Sequence, residues 1–203
     1  MSLFTLINEI TEDIKSAETE KREEYMKYIE DHINNVKSAF MIFVKINWDE
    51  NLISKSDILT LQYRVNNHDQ SKYSDEEFEP YRKKFFSVND KECEDCEEEF
   101  EEAWKHHYMC NDHHPEYWIK DGVPYEMSIP AICEMICDWQ GMAFAKGGSA
   151  LSYYNSIKDT ENDKVLASTT REILENILEI YDAKLTEIAL TESMKNTVNG
   201  QKD

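Results

Sequence analysis

The sequence predicts an all-α protein of few, long helices, and three observations carry that expectation. The 203 residues include only five Gly and four Pro, too few turn-formers for a many-stranded sandwich or barrel. Apolar residues recur at steps of three and four over several long stretches. The hydrophobic share of 40%, with 11% aromatics, is enough to fold a core despite a formal net charge of -20. The expected architecture is a single helical domain over 1–203, with a core at about 23–157 and a long C-terminal helix at about 164–195.

The first helix is expected from Glu23 to Ile46, with Tyr25, Tyr28, Ile29, His32, Ile33, Val36, Phe40, Phe43 and Val44 on its apolar face. After a polar break, a second helix covers Asp57 to Asn67 and ends in Asn66-Asn67-His68-Asp69. Ser74 is the expected N-cap of a third helix, since acids fill the first turn and Glu77 stands at capping-box spacing. The acidic run Asp90 to Glu102 continues into a helix through Phe100, Ala103, Trp104 and His107, with its acids on a solvated face. Pro115, Gly122, Pro124 and Pro130 make 111–130 a loop, and a strong helix follows from Ile129 to Lys146, stopped by Gly147-Gly148. The last helix repeats Leu166, Ile173, Leu174, Ile177, Leu178, Ile180, Leu185 and Ile188, a pattern that packs on the core or on a second copy as a homodimer. The tail from Thr197 to Asp203 is expected to fray.

Composition also excludes functions. With 42 Asp+Glu against 22 Lys+Arg, the chain lacks the cationic face of a general nucleic-acid binder. Met1 to Ile10 has no basic flank and so does not read as a signal peptide. The longest apolar run, Ala39 to Val44, falls far short of the roughly 20 residues a membrane span needs. Five cysteines, an odd number, fit reduced thiols and a cytoplasmic location. Cys93-x-x-Cys96 stands alone, without a second pair at zinc-site spacing.

The concentrated chemistry is His, Asp and Glu. All six histidines fall between His32 and His114: His32 on a buried stripe, His68 before Asp69, and the pairs His106-His107 and His113-His114. Imidazole with carboxylate suits divalent Zn, Mn, Fe or Ni and argues against an all-oxygen calcium site. Glu134 and Asp138 stand four apart on an otherwise apolar helix, so both face one way, and two acids facing a core need a positive partner. A metal would answer for Asp138. Glu134 is expected either to orient a ligand histidine or to pair with Arg64 or Lys72.

The order His32, His68-Asp69, Asp138 on successive helices resembles the HD superfamily of metal-dependent phosphohydrolases, and HDQSK at His68 to Lys72 is similar to that superfamily's HD-I-G-K form. The stretch from His113 to Tyr125 is similar to the HHE…DG…GYP signature of its cyclic-dinucleotide branch, with Val123 in place of the Gly of GYP. A closer resemblance is to an uncharacterised family of small phage and bacterial proteins. Its motifs read here as His68 to Tyr73, Glu77 to Tyr81, Ala103 to His107, His113 to Trp118 and Glu134 to Trp139.

The resemblance implies an HD-type helical bundle that holds one or two divalent ions (Mn, Fe, Ni, Co, Zn or Mg) and hydrolyses a phosphate ester or anhydride, a small nucleotide above all. The first ion would sit on His32, His68, Asp69 and Asp138, with positions left open for water and substrate. Asp69 would bridge to a second ion on His107 and one or both of His113 and His114, roughly 3.5–4 Å away. Asp69, Lys72 and His107 are the expected catalytic residues: Lys72, four residues after His68, steadies the phosphate, and a histidine of the second set protonates the leaving oxygen. Arg82, Lys83, Lys84 and Lys105 are further candidate phosphate contacts. Two other readings stand beside this one. One is a non-enzymatic acidic protein that binds a basic host surface or mimics nucleic acid; the other is an HD fold that binds a nucleotide without cleaving it.

Overall fold

The structure, a computed structural model, describes the backbone of residues 3–199 and the side chains of residues 11–191. It is all-α with a long C-terminal helix, and among the described residues its only strands form one two-residue hairpin. In chain order the helices are α1 (Leu3–Glu50), α2 (Lys55–Asn66), α3 (Phe78–Phe85), α4 (Asp90–Asp95), α5 (Glu97–Cys110), α6 (Ile129–Lys146), α7 (Ala150–Ile157) and α8 (Ser168–Asn199). The hairpin strands are β1 (Ile119–Lys120) and β2 (Val123–Pro124). No described helix is long and apolar enough to cross a membrane. Thr197 to Asn199 of the expected frayed tail belong to α8, and 200–203 lie outside the described residues.

The chain forms two compact units. The first comprises Met1–His32 and Asp69–Asn111. Here α1 begins far ahead of the expected Glu23, because residues 11–22 are rich in Glu and Lys and lack Gly and Pro. Good helix formers and pairs such as Lys15 with Glu12 extend the helix where there is no apolar face to read. Its core is aromatic: Tyr25 packs on Phe78 and Phe86, with ring centroids 5.1 and 5.4 Å apart, and Phe100 packs on Tyr81 and Phe85.

Ser74 does not cap α3. It closes a 3-10 turn over Gln70–Tyr73, and Glu77 takes the cap position without a side-chain capping bond, since its carboxylate turns inward to two histidines. The acidic run breaks at Cys96 into α4 and α5. Its acids are not all solvated: Arg82 pairs with Glu92, Lys83 with Glu99 and Lys84 with Glu97, which commits the basic cluster to the acidic run.

The second unit comprises Ile33–His68 and Asp112–Asp203. Its centre is α6, apolar on nearly every side and buried along most of its length, as an all-round hydrophobic helix must be. Ser128 caps it by accepting from the Ala131 amide, and α2, α7 and α8 pack on it. Gly141 lets α6 approach α1 closely, since a Cβ there would lie 2.9 Å from the Val36 amide nitrogen. Val36, Phe43, Leu61, Ile132, Ile136, Leu174 and Tyr181 belong to the core that results. The expected loop at 111–130 holds a 3-10 turn at Pro115–Trp118 and the β1–β2 hairpin. Asp121 and Gly122 both have positive φ, which suits a two-residue hairpin turn and explains the Asp-Gly pair there.

Candidate metal centre

In the first unit the site is built around Asp69. The α2 helix ends at Asn66, and Asp69 follows in the left-handed region at φ 55°, a conformation Asp tolerates. The direction of its side chain is therefore set by this turn and not by the helical screw that consecutive residues would share. Asp69 is 2% exposed. His32 Nε2 lies 3.6 Å from its Oδ2, and His107 Nε2 lies 3.4 Å from its Oδ1. Lys72 Nζ is 2.7 Å from Oδ2 and stands over the Tyr81 ring. Lys72 arrives on the 3-10 turn Gln70–Tyr73, since α2 does not persist past Asn66, and pairs directly with Asp69.

His107 is fixed from behind. Its Nδ1 donates to Glu77 Oε2 at 2.7 Å, and His106 Nδ1 donates to Glu77 Oε1 at 2.7 Å. Burial works to raise the pKa of Glu77, but the hydrogen bonds and charge of His107, with Ser71 and His106, prevail and hold it below the usual carboxylate value. With its proton on Nδ1, the His107 imidazole presents the Nε2 lone pair toward Asp69.

The second unit repeats this arrangement. His68 Nδ1 donates to Glu134 Oε1 at 2.9 Å, and His68 Nε2 lies 3.8 Å from Asp138 Oδ1. Glu134 and Asp138 stand one turn apart on α6. Glu134 also takes Arg64 Nε at 2.7 Å and has His113 Nδ1 at 3.4 Å, so it serves two histidines and one arginine. Burial pushes the pKa of Glu134 up, but His113 and His68 outweigh it and hold the carboxyl far below its ordinary value. Arg64 is kept in place by Asp112 on its other side. The His113 ring packs on His68 and His114, with centroids 4.6 and 4.2 Å apart.

The separations indicate what these sets can hold. The 3.4–3.8 Å between each Nε2 and its facing carboxylate oxygen exceeds the roughly 2.7–2.9 Å of a charge-assisted hydrogen bond. Two ligand atoms that each lie about 2.0–2.2 Å from one tetrahedral ion are about 3.4 Å apart. His68 and His107 are locked through Nδ1 by buried carboxylates, as ligand imidazoles usually are. The residues present therefore fit a divalent cation.

Within the first unit the structure brings together His32, Asp69, Lys72 and His107; within the second, His68, Glu134 and Asp138 with His113 and His114. Lys105 is exposed. Glu77 was not among the expected site residues, although it opens the Glu77 to Tyr81 motif. Its spacing from Ser74 matched a capping box, and that local pattern masked it.

Fold and site together define an all-α protein whose buried imidazole and carboxylate groups could hold a metal ion. The chain belongs to a family of unknown function, DUF5662, whose model matches residues 21–180. No curated protein and no solved structure matches it.

Proposed function

We propose that this protein is a metal-dependent phosphohydrolase that cleaves a small nucleotide or another phosphate ester or anhydride. In this reading one or two divalent ions (Mn, Fe, Ni, Co, Zn or Mg) are the cofactor, with His32, Asp69 and His107 as candidate ligands in the first unit and His68, Asp138, His113 and His114 as candidate ligands in the second. The observation that supports it most is Asp69, a buried carboxylate with an imidazole Nε2 near each oxygen and the Lys72 ammonium on one of them. A bound divalent ion supplies a water of lowered pKa and a charge that polarises a phosphoryl oxygen.

The chain's own residues supply the rest. Lys72, held by Asp69 at one end of its reach, orients a substrate phosphate oxygen. His107, anchored through Nδ1 on Glu77, offers Nε2 as a ligand or, when protonated, as the donor to the leaving oxygen. Glu77 and Glu134 keep the imidazoles in one tautomer and one orientation, so the ligands need no rearrangement to bind.

The test is metal analysis of the purified protein, followed by phosphate release from a nucleotide panel with Mn²⁺, Ni²⁺, Co²⁺ and Mg²⁺. Turnover should require added or retained metal. Asp69→Ala should lower metal content and turnover by more than about 100-fold, beyond what loss of an outer hydrogen-bond partner does. Full metal content and full turnover in Asp69→Ala would overturn the assignment. Nucleotide binding with no turnover under any metal would replace hydrolysis by a binding function.

A further inference from the structure

On the face of Glu77 turned away from His107, the first unit carries a second set of metal-ligating groups. His106 and Cys110 stand four apart on α5, so they project from one side of the helix. Cys110 Sγ lies 3.9 Å from His106 Nδ1 and 3.7 Å from Nε2, and His106 Nδ1 lies 2.7 Å from Glu77 Oε1. One ligand atom from each of the three residues falls within 4.8 Å of the others. The set is graded outward: Glu77 is fully buried, His106 half-buried and Cys110 exposed, so the sulfur is at the mouth and the carboxylate at the base.

We propose that Glu77, His106 and Cys110 form a binding site for a thiophilic divalent ion, zinc in particular, separate from the proposed catalytic centre. Thiolate, imidazole and carboxylate are all zinc ligands, and with one position left for water they complete a tetrahedron. Sulfur and nitrogen ligands at about 2.3 and 2.0 Å from a tetrahedral ion are about 3.5 Å apart, so the observed pair needs to close by only a few tenths of an ångström. On binding, the Cys110 thiol proton leaves to solvent, the imidazole proton moves from Nδ1 to Nε2, and zinc replaces that proton between His106 and Glu77. The hard-ligand sets described above contain no sulfur, so this site favours a softer ion.

Glu77 connects the two sites. Its other oxygen accepts from His107, so an ion on Oε1 draws carboxylate charge away from the bond that anchors His107. Occupancy therefore weakens His107, and zinc inhibits the proposed hydrolase. This consequence rests on the phosphohydrolase reading; the zinc site itself does not.

Cobalt(II) is the probe, because cobalt bound to thiolate gives a near-ultraviolet charge-transfer band. The wild-type protein should show the band, saturating at the intensity of one thiolate-bound cobalt per chain whether or not cobalt also fills the sulfur-free sets, and zinc should abolish it by displacement. Asp69→Asn and Cys93→Ser should keep it, which separates this site from the catalytic set and from the Cys93/Cys96 pair. Cys110→Ser, at an exposed position, should lose the band and bind zinc at least tenfold more weakly. A band that survives in Cys110→Ser, or no band in wild type, overturns the site. If a hydrolase activity is found, excess zinc should inhibit wild type and spare Cys110→Ser. Equal inhibition of both would overturn the coupling through Glu77, whereas an inactive protein that shows the band refutes the hydrolase reading and leaves the zinc site standing.

Discussion

Glu77 and Glu134 perform one task in two places, each taking an imidazole Nδ1 proton so that Nε2 is turned toward a second carboxylate. The two differed in legibility. Glu134 stood out as an acid on an apolar helix, four residues from Asp138, where only a buried positive or metal partner offsets its cost. Glu77 lay in a polar stretch where Ser74 offered a local explanation, and its histidine partners are some 30 residues away in sequence. The depressed pKa of Glu134 gives a pH test. Its folded-state value lies below the unfolded value of about 4.3, so below neutrality the unfolded chain binds the extra proton. The stability that Glu134 contributes is thus complete above about pH 5 and is lost as pH falls through the unfolded and then the folded value. In metal-free protein, Glu134→Gln should be less stable by about 1–3 kcal/mol at neutral pH, because His68 and Arg64 lose a charged acceptor. Urea titrations should show this gap narrowing as pH falls from about 6 to about 3; a constant gap would contradict the assignment. Glu77→Gln should lower metal affinity by about 10–100-fold, measured by chelator competition, with the fold intact.

Periodicity found the long helices that bury a face; it missed the short α7, which buries Ala150 and Tyr154, and it failed where a helix buries none. Residues 11–22 of α1 are mostly exposed and held by propensity and local ion pairs, so no apolar stripe marked them. The acidic run hid a break at Cys96 because acids dominate on both sides. The turn through His68-Asp69 was legible as a helix end but not as a left-handed residue, since Asp at positive φ carries no signal of its own beside so many acids. In α6, by contrast, the glycine stop and the apolar content were plain, and what remained hidden was the Ser128 cap and the close approach at Gly141. Gly141→Ala places a Cβ 2.9 Å from the Val36 nitrogen and 3.2 Å from the Asn35 carbonyl carbon, both backbone atoms that cannot turn aside. The overpacking cost of about 1–3 kcal/mol should exceed the helix-propensity gain of at most about 1 kcal/mol. Thermal denaturation should therefore give a lower Tm for Gly141→Ala, and a raised Tm would show that the two helices can separate at no cost. Ser128→Ala removes the α6 N-cap and should cost about 0.5–2 kcal/mol by the same measurement.

The net charge of -20 constrains partners more than it specifies chemistry. It argued for an acidic surface that engages a basic protein, with Asp90 to Glu102 as the obvious patch. Yet Arg82, Lys83 and Lys84 already answer Glu92, Glu99 and Glu97, so part of that patch is satisfied within the chain. The charge that bears on function is the small, buried fraction placed among histidines, which composition could not separate from the rest. Sequence likewise left open whether the C-terminal helix packs on its own core or on a second copy. Its described portion does the former: Tyr181 stacks on Phe43 and its hydroxyl donates to the Ala39 carbonyl, while Leu185 and Ile188 pack against the same core and Lys184 pairs with Glu50. The family match stops at residue 180, one residue before this group. If the matched segment were a sufficient folding unit, a chain ending at Ile180 would be as stable as the full one. The packing argues otherwise, since burying each large apolar side chain contributes about 1.5–3 kcal/mol. A chain ending at Ile180 should lose roughly 3–6 kcal/mol, a fall in Tm on the order of 10 °C for a protein of this size. Tyr181→Ala alone should cost about 3–5 kcal/mol. An unchanged Tm in both would mean that the core closes without α8 beyond residue 180.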